Sequence, residues 1–317
     1  WSISTDTIPM HRLIVPGLFE PPDSGALPQT PLLDHVVARG EMLREVPLGY
    51  EQLLAGCFGI DAGQADVPAG ALLANFHSHH ARGQWACALP VHLHVDRDRL
   101  LLSPVDPATL DSSRIVGLLN DHFREDGMQF HAPPEGPWLL ELETPVVVNT
   151  RPIDDVAGRS LDPFMPTGVD AGKLKALMNE CQMLLHADDR AGMVNSLWFW
   201  GFGGLPPIPR KPLESFCNSL LCMSIIRACN ADSVAADTSV FVTDSCLEGR
   251  RYGDMQRWVS GVVETEQRLR ELLELRGIQL FLQSDNGFAV RYRSSMRFRF
   301  WQSRSFAKLV QPQASLK

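Results

Sequence analysis

The stretch that most constrains the fold is residues 193–207, which read MVNSLWFWGFGGLPP. Its apolar and aromatic residues follow one another without helical spacing, which is typical of a strand buried on both faces. Such a strand favours the middle of a mostly parallel sheet, and the glycines that follow it bring bare backbone to the carboxyl edge, where open α/β sheets bind ligands. A core strand that ends in a tight turn is the alternative interpretation.

Patterns on both sides of this strand predict a mixture of helices and strands. Helices are predicted over residues 31–40, 50–58, 68–75, 112–125, 173–186, 213–229 and 253–276. Strands are predicted over 13–18, 128–131, 138–143, 239–242 and 278–283, with a hairpin over 90–102 that turns at 96–98. Alternating arginines and aromatics at 297–301 predict an edge strand.

Composition excludes several classes of protein. No apolar run in the 317 residues approaches the roughly 20 that span a bilayer, so we expect no membrane partner. A net charge of -8 argues against binding to the nucleic acid backbone. The seven cysteines are scattered and form no C-x-x-C pair, which indicates reduced thiols. Since the first residues lack the order of a secretory signal, we expect a cytoplasmic protein.

Two motifs resemble a known family. The pattern N-x-x-W-x-W-G-x-G-x-x-P, which begins at Asn195, resembles the segment that returns the chain to the core in archaeal-type, cofactor-independent phosphoglycerate mutases of the alkaline-phosphatase superfamily. The pattern T-P-x-x-D at Thr30 resembles the start of such domains. Blocks around His92, His186 and Arg299 are similar to a narrower proteobacterial group of regulatory, phosphoglycerate-mutase-like proteins, including those encoded in xanthomonad pathogenicity-factor regulation clusters.

The resemblance implies an α/β fold with an alkaline-phosphatase-like core, in which helices flank a mostly parallel sheet. It also implies an α+β lobe inserted into that core. We therefore expect residues 1–84 and 191–317 to form the core and residues 85–190 to form the lobe. On this division, His92 and Trp138 belong to a different sheet from Trp198.

Members of the superfamily bind two divalent metals through Asp and His and use a Ser or Thr nucleophile. The segment that matches the nucleophile region, 49–59, contains neither Ser nor Thr. Other residue types stand at the matching metal-ligand positions, namely Pro16, Ile153, Leu247, Arg251 and Asn286. Acids remain at Asp154 and Asp285. An arginine beside these positions opposes metal binding, because it adds positive charge where two dications would lie.

The resemblance and these departures suggest a catalytically degenerate protein with a regulatory or binding role, which needs no cofactor. Its partner is then an unknown small molecule or protein. A remnant site of Asp154, Arg251, Asp285 and Asn286 is expected to converge near Pro16, with Arg251 bridged to Asp154 or Asp285 in place of the metal. Candidate ligand-binding residues are Asn195, Trp198, Trp200, Gly201 and His92.

The alternative hypothesis is an active metal-dependent phosphomutase or phosphatase with a rearranged site. Manganese or zinc would then be its cofactor. His92 and His94, which lie two apart on a predicted strand and so share a face, are the candidate metal ligands in that case. The degenerate hypothesis expects no metal site.

Overall fold

The computed structural model describes residues 10–23, 25–60, 66–77, 82–188, 192–207, 214–228, 239–275, 277–299 and 304–310. The chain divides into two compact units. The first unit contains Trp1–Leu53, Arg210–Cys222 and Asn230–Lys317, and the second contains Leu54–Pro209 and Met223–Cys229. Within the described ranges, none of the helices combines the length and apolar character needed to cross a bilayer.

The strands, in chain order, are β1 Met10–Ile14, β2 Glu41–Arg44, β3 Gln84–Asp96, β4 Arg99–Pro104, β5 Met128–His131, β6 Trp138–Leu142, β7 Ser196–Gly203, β8 Glu214–Cys217, β9 Ser239–Val242, β10 Gln279–Gln283 and β11 Phe288–Arg293. The α-helices are α1 Pro31–Arg39, α2 Tyr50–Phe58, α3 Ala69–Phe76, α4 Ser112–Phe123, α5 Ile153–Val156, α6 Ala171–Ala187, α7 Leu220–Ala228, α8 Ser245–Tyr252, α9 Met255–Leu273 and α10 Phe306–Val310.

The first unit contains a six-stranded mixed sheet in the order β2-β11-β10-β1-β9-β8. Strands β8, β9, β1 and β10 are parallel to one another, whereas β11 and β2 are antiparallel to their neighbours. The prediction of a mostly parallel sheet is therefore too simple. The turn between β10 and β11 spans only Ser284–Gly287, and so short a connection can join only antiparallel strands.

The core of the first unit lies between this sheet and α1, α9 and α10. Helix α9 places Trp258, Val262 and Leu269 on one buried stripe, as its spacing predicts. The helix begins where the Asp254 side chain accepts a hydrogen bond from the Arg257 N–H at 3.0 Å. Trp258 stacks on Phe306 of α10, with ring centroids 6.4 Å apart.

The second unit contains a five-stranded antiparallel sheet in the order β4-β3-β6-β5, and β7 also pairs with β3. This arrangement corrects the interpretation of the 193–207 stretch. The segment is a buried strand, as predicted, but its neighbour is antiparallel and it lies outside the first unit's sheet. His92 on β3 and Trp138 on β6 share a sheet with Trp198 on β7, so residues 85–190 do not form a lobe separate from β7.

The reason for this error is that burial does not reveal strand direction. Helices α3 and α6 both pack against β7, and its residues Ser196 to Phe202 are all buried. An antiparallel strand that helices cover in this way shows the same unbroken apolar run as a central parallel strand. At Gly201, where φ is +66°, an added Cβ would lie 3.0 Å from Ala69 of α3, so this glycine permits close packing rather than access for a ligand.

Several local predictions are confirmed, among them α2 at Tyr50–Phe58, β9 at Ser239–Val242 and the 90–102 hairpin, in which Asp96 pairs with Arg99. The predicted helix over 213–229 is wrong at its start, where β8 precedes α7. The predicted edge strand at 297–301 is a 3₁₀ turn over Ser294–Phe298, and residues 300–301 lie outside the described residues.

Candidate functional site

Three of the four parallel strands of the first unit are followed immediately by polar residues at their carboxyl ends. Strand β8 leads to Asn218–Ser219, β9 to Thr243–Asp244 and β10 to Ser284–Asp285, whereas β1 leads through Val15 to Pro16–Gly17. In α/β sheets this edge is where ligands bind, because loops and helix starts converge there. We call this set of loops the strand-end site.

Asp285 is the best-satisfied carboxylate of the strand-end site. Its Oδ1 accepts hydrogen bonds from the Gly17 N–H at 2.8 Å and the Ser284 hydroxyl at 3.1 Å. Its Oδ2 accepts a bond from Arg250 Nη2 at 2.7 Å, and Arg250 also pairs with Glu20. Since Asp285 is only 8% exposed, the guanidinium neutralises a buried charge.

Gly17 is needed for this geometry. Its φ of +75° lies in the left-handed region, and an added Cβ would lie 2.9 Å from the backbone of Cys246 and Leu247 at the start of α8. The Gly17 carbonyl accepts a hydrogen bond from Trp258 Nε1 at 3.0 Å. The peptide is thus held between α8 and α9 while its N–H points at Asp285.

A second group of side chains links Tyr50, Ser219 and Asp244. The Ser219 hydroxyl hydrogen-bonds to the Asp244 carboxylate, and the same oxygen accepts from the Cys222 N–H at 3.3 Å. Because the serine proton goes to Asp244, the Tyr50 hydroxyl is the donor in its contact with Ser219. The result is a directed chain of hydrogen bonds from tyrosine through serine to aspartate.

Burial shifts the pKa values of the two ionisable residues in this hydrogen-bonded series, Asp244 and Tyr50. Burial and the nearby charge of Glu248 raise the pKa of Asp244 to about 6, although the Ser219 hydrogen bond and the charge of Arg251 lower it. Burial also raises the pKa of Tyr50 well above its usual range, so Tyr50 keeps its proton. Asp244 retains some exposed surface. It can therefore exchange a proton near neutral pH, which is typical of functional carboxyls.

A cleft of about 290 Å³, which we call the strand-end cleft, lies at the ends of β8 and β9, next to these hydrogen-bonded residues. Its lining includes Asn218, Thr243, Glu264 and Arg268. Glu264 Oε2 accepts hydrogen bonds from Asn218 Nδ2 at 2.9 Å, the Thr243 hydroxyl at 2.7 Å and the Ser245 hydroxyl at 3.0 Å. Glu264 thereby ties α9 to the strand ends and gives the cleft a polar wall.

Among the predicted remnant-site residues, the structure brings Pro16, Asp285 and Asn286 together, since Gly17 bonds to Asp285. The Asn286 side chain accepts the Phe288 N–H at 3.2 Å and so shapes the turn before β11. The arginine that pairs with Asp285 is Arg250, one residue before the predicted Arg251. Arg251 instead lies close enough to Asp244 to lower the pKa of that carboxyl.

Asp154 does not belong to the same unit as these residues. It lies on α5 in the second unit. The expected ligand-binding residues Asn195, Trp198, Trp200 and Gly201 are in the second unit too, at or beside β7. The predicted site residues therefore belong to two different units.

The contacts of the β7 residues are those of a packed strand. The Asn195 amide accepts the Leu93 N–H at 2.7 Å and donates to the Leu93 carbonyl at 2.8 Å, so it extends the pairing with β3. Trp198 is 1% exposed and its Nε1 donates to the Arg151 carbonyl at 2.9 Å. Trp200 is buried as well, at 4% exposure.

His92 and His94 share one face of β3, as predicted, and their rings stack with centroids 5.8 Å apart. His92 Nδ1 hydrogen-bonds to the Met193 carbonyl at 2.8 Å, which occupies one of its two nitrogens. Within the part of the chain that the structure describes, no group of three or more His, Cys, Asp or Glu side chains could hold a metal ion.

Sequence reasoning missed Tyr50, Ser219, Asp244 and Cys217 as site residues. Asp244 follows a short β-branched and aromatic strand and precedes a helix, and this signal was available. Cys217 and Ser219 did not stand out as site residues because the pattern over 213–229 predicts that they lie inside a helix. Their importance depends on β8 ending at Cys217, which the local pattern does not indicate.

No protein-family model matches the chain, and no curated protein matches it. Among solved structures, the chain is similar to a cofactor-independent phosphoglycerate mutase from Thermoplasma acidophilum DSM 1728. The two share 13% sequence identity, with a TM-score of 0.40, over 90% of this chain and 89% of that chain. This similarity is too distant to carry an argument about fold or activity. The resemblance to a proteobacterial regulatory group stays a prediction.

Proposed function

We propose that this chain is a phosphoglycerate-mutase-like protein with a binding or regulatory role, and that it has lost two-metal phosphoryl transfer. In this proposal it binds a small polar molecule in the strand-end cleft. The observation that carries the proposal is the Arg250–Asp285 pair. Asp285, which the resemblance matches to a metal ligand of the superfamily, accepts three hydrogen bonds and already has a guanidinium as its counter-charge.

A dication at Asp285 would have to displace Arg250 and break the bond from the Gly17 N–H. Both groups are held by further contacts, since Arg250 also pairs with Glu20 and Gly17 is clamped by Trp258. Displacement would leave a partly buried guanidinium without its partner, which is unfavourable by several kcal/mol. The residues present therefore fit an arginine-neutralised acid better than a metal ligand.

The cleft at the ends of β8 and β9 suits a small polar ligand. Its wall contains carboxylate, amide, hydroxyl and guanidinium groups, and its floor includes Leu13 and Phe241. Arg268 lies over the Phe241 ring, 5.2 Å from the centroid, and pairs with Glu271. A few polar groups around an apolar floor are the usual composition of a small-molecule site.

The first experiment measures metal content and turnover. We expect the purified protein to hold less than stoichiometric manganese or zinc. We also expect no interconversion of 3- and 2-phosphoglycerate and no hydrolysis of p-nitrophenyl phosphate with either metal added. Stoichiometric metal together with turnover would contradict the proposal and establish the active metal-dependent phosphomutase or phosphatase instead.

The second experiment tests the cleft. A thermal-shift screen of small polar metabolites, 3-phosphoglycerate among them, is expected to give a saturable stabilisation. Arg268→Ala should abolish that shift, whereas Arg270→Ala, an exposed position on the same helix, should retain it. If no compound stabilises the protein, or if both variants respond alike, the cleft is not the binding site.

A further inference from the structure

A pair of cysteines, one of which lines the strand-end cleft, has no part in the proposed binding role. Cys217 is the last residue of β8, opposite Val242 of β9, and Cys222 lies in the first turn of α7. The Cys222 thiol donates a hydrogen bond to the Cys217 sulfur. Asn218 and Ser219 connect β8 to α7, and the Ser219 hydroxyl accepts a hydrogen bond from the Cys222 N–H at 3.3 Å.

The two sulfurs differ in how they can be reached. Cys217 is partly exposed and lines the cleft, whereas Cys222 is fully buried behind it. A reagent in the cleft therefore meets Cys217 first, and Cys222 is reached only through Cys217. The cysteines Cys181 and Cys246 are 0% exposed, so they are sheltered from the same reagent.

The Cys217 thiol is also more acidic than the sheltered thiols of Cys181 and Cys246. The hydrogen bond from Cys222 lowers the pKa of the Cys217 thiol, although burial and the charge of Asp244 oppose this. Burial raises the pKa of both Cys181 and Cys246 above the usual thiol range. Because the thiolate is the nucleophile, the accessible sulfur is also the more reactive one.

We propose that Cys217 and Cys222 form a reversible dithiol–disulfide site, with Cys217 as the attacking thiol and Cys222 as the resolving thiol. This inference does not depend on the ligand-binding role proposed above. Its co-reactant is a small disulfide such as glutathione disulfide, which enters by the cleft. Oxidation would remove the Cys217 thiol from the cleft wall and join the end of β8 to the first turn of α7.

The chemistry proceeds in two exchange steps. The Cys217 thiolate attacks one sulfur of glutathione disulfide, whose S–S bond breaks, and the first glutathione leaves as a thiolate. The Cys222 thiolate then attacks the Cys217 sulfur of the mixed disulfide and releases the second glutathione. The two protons lost by the cysteines go to the two glutathione thiolates, so one disulfide is reduced as one forms, with an S–S length of about 2.05 Å.

The first test uses the full-length, fully reduced wild-type protein. A limiting amount of iodoacetamide at pH 7 is followed by peptide mass spectrometry of each cysteine. We expect Cys217 to react at least about tenfold faster than Cys181 and Cys246, because it is both exposed and more acidic. Equal rates for the three cysteines would overturn the proposal without the use of any variant.

The second test identifies the resolving thiol. Glutathione disulfide should convert the wild-type protein to a Cys217–Cys222 disulfide that dithiothreitol reverses. Cys222→Ser should stop at a glutathione adduct on Cys217, Cys217→Ser should form neither product, and Cys181→Ser should behave as wild type. A lasting Cys217 adduct in the wild-type protein, or a disulfide from Cys217 to any other cysteine, would overturn the assignment. If a variant fails to fold, the wild-type product mapping decides.

Discussion

The two units use their polar side chains in different ways. In the second unit, Asn195 and Asn120 each make two hydrogen bonds to the backbone of a strand: Asn195 bonds to β3, and Asn120 ties α4 to β5. In the first unit, Asp285 and Asp244 meet arginine, serine and tyrosine side chains at the strand ends. Backbone-paired amides stabilise the fold, whereas clustered ionisable groups can respond to pH and ligands.

The comparison also shows that a conspicuous sequence can be structural. The tryptophan-rich β7 is the most distinctive stretch of the chain, yet its residues pack and pair as a sheet requires. The strand-end site is built from residues that attract little notice one at a time. Its character comes from tertiary contacts: burial raises the pKa of Asp244, and the hydrogen bond from Cys222 lowers the pKa of Cys217.

The largest expected effect is on the packing of the second unit. Trp198→Ala should lower the free energy of unfolding by about 3–5 kcal/mol, because it leaves a cavity in a sheet that helices cover and removes the bond to the Arg151 carbonyl. Val95→Ala, at a position 72% exposed on β3, should change it by less than about 0.5 kcal/mol. Urea unfolding curves measure both. A loss below about 1 kcal/mol for Trp198→Ala would show that β7 is not a packing element.

The next effect concerns the first unit's charge pair. Asp285→Ala should cost about 3 kcal/mol, because it leaves Arg250 and the Gly17 N–H without their buried acceptor. Glu248→Ala removes a more exposed pair to Arg257, 3.5 Å long, and should cost no more than about 1 kcal/mol. Denaturant titrations of the two variants test this. Equal losses would show that the strand-end pair has no special importance.

The raised pKa of Asp244 predicts that the stability of the protein depends on pH. Its folded pKa of about 6 exceeds the unfolded value of about 3.9, so the folded state holds the proton more tightly. The resulting stabilisation is fully present below about pH 4 and is lost as pH rises through 6. Asp244→Asn stays neutral and should avoid this loss.

The measurement is unfolding free energy from pH 4 to pH 7 for both proteins. Relative to wild type, Asp244→Asn should gain about 1–2 kcal/mol across that range, after allowance for the partial exposure of the carboxyl. Asp98→Asn in the β3–β4 turn is the control and should follow the wild-type curve. An Asp244→Asn curve parallel to wild type would show that the Asp244 pKa is not raised.

The smallest effect is at the hairpin between β3 and β4. Arg97 has a φ of +58°, a conformation that a side chain with Cβ rarely adopts. Arg97→Asn should stabilise the protein by about 0.5 kcal/mol, because asparagine tolerates this region better. Thermal unfolding, with Asp98→Asn as the neighbouring control, would detect the difference. A destabilised Arg97→Asn variant would mean that the arginine side chain makes a compensating contact.

The strand-end site illustrates how much could be predicted from the sequence. The sequence predicts that Asp285 lies near an arginine at a strand end, but the predicted residue is Arg251, whereas the structure has Arg250. Neighbouring residues on a helix point about 100° apart, and a one-residue ambiguity therefore selects a different side chain. The sequence predicts that Asp154 joins the same site, whereas α5 belongs to the second unit, because sequence order does not report which compact unit a segment joins.

The sequence by itself determined where most helices and strands lie, because hydrophobic periodicity and turn residues act over a few neighbours. Helix α2, strand β9 and the β3–β4 turn follow from such local signals. Tertiary structure alone decided that β7 pairs antiparallel with β3 and that Tyr50, Ser219 and Asp244 form one hydrogen-bonded chain. Strand partners and pKa values depend on which segments, far apart in the sequence, pack together and exclude water, and local periodicity does not determine this.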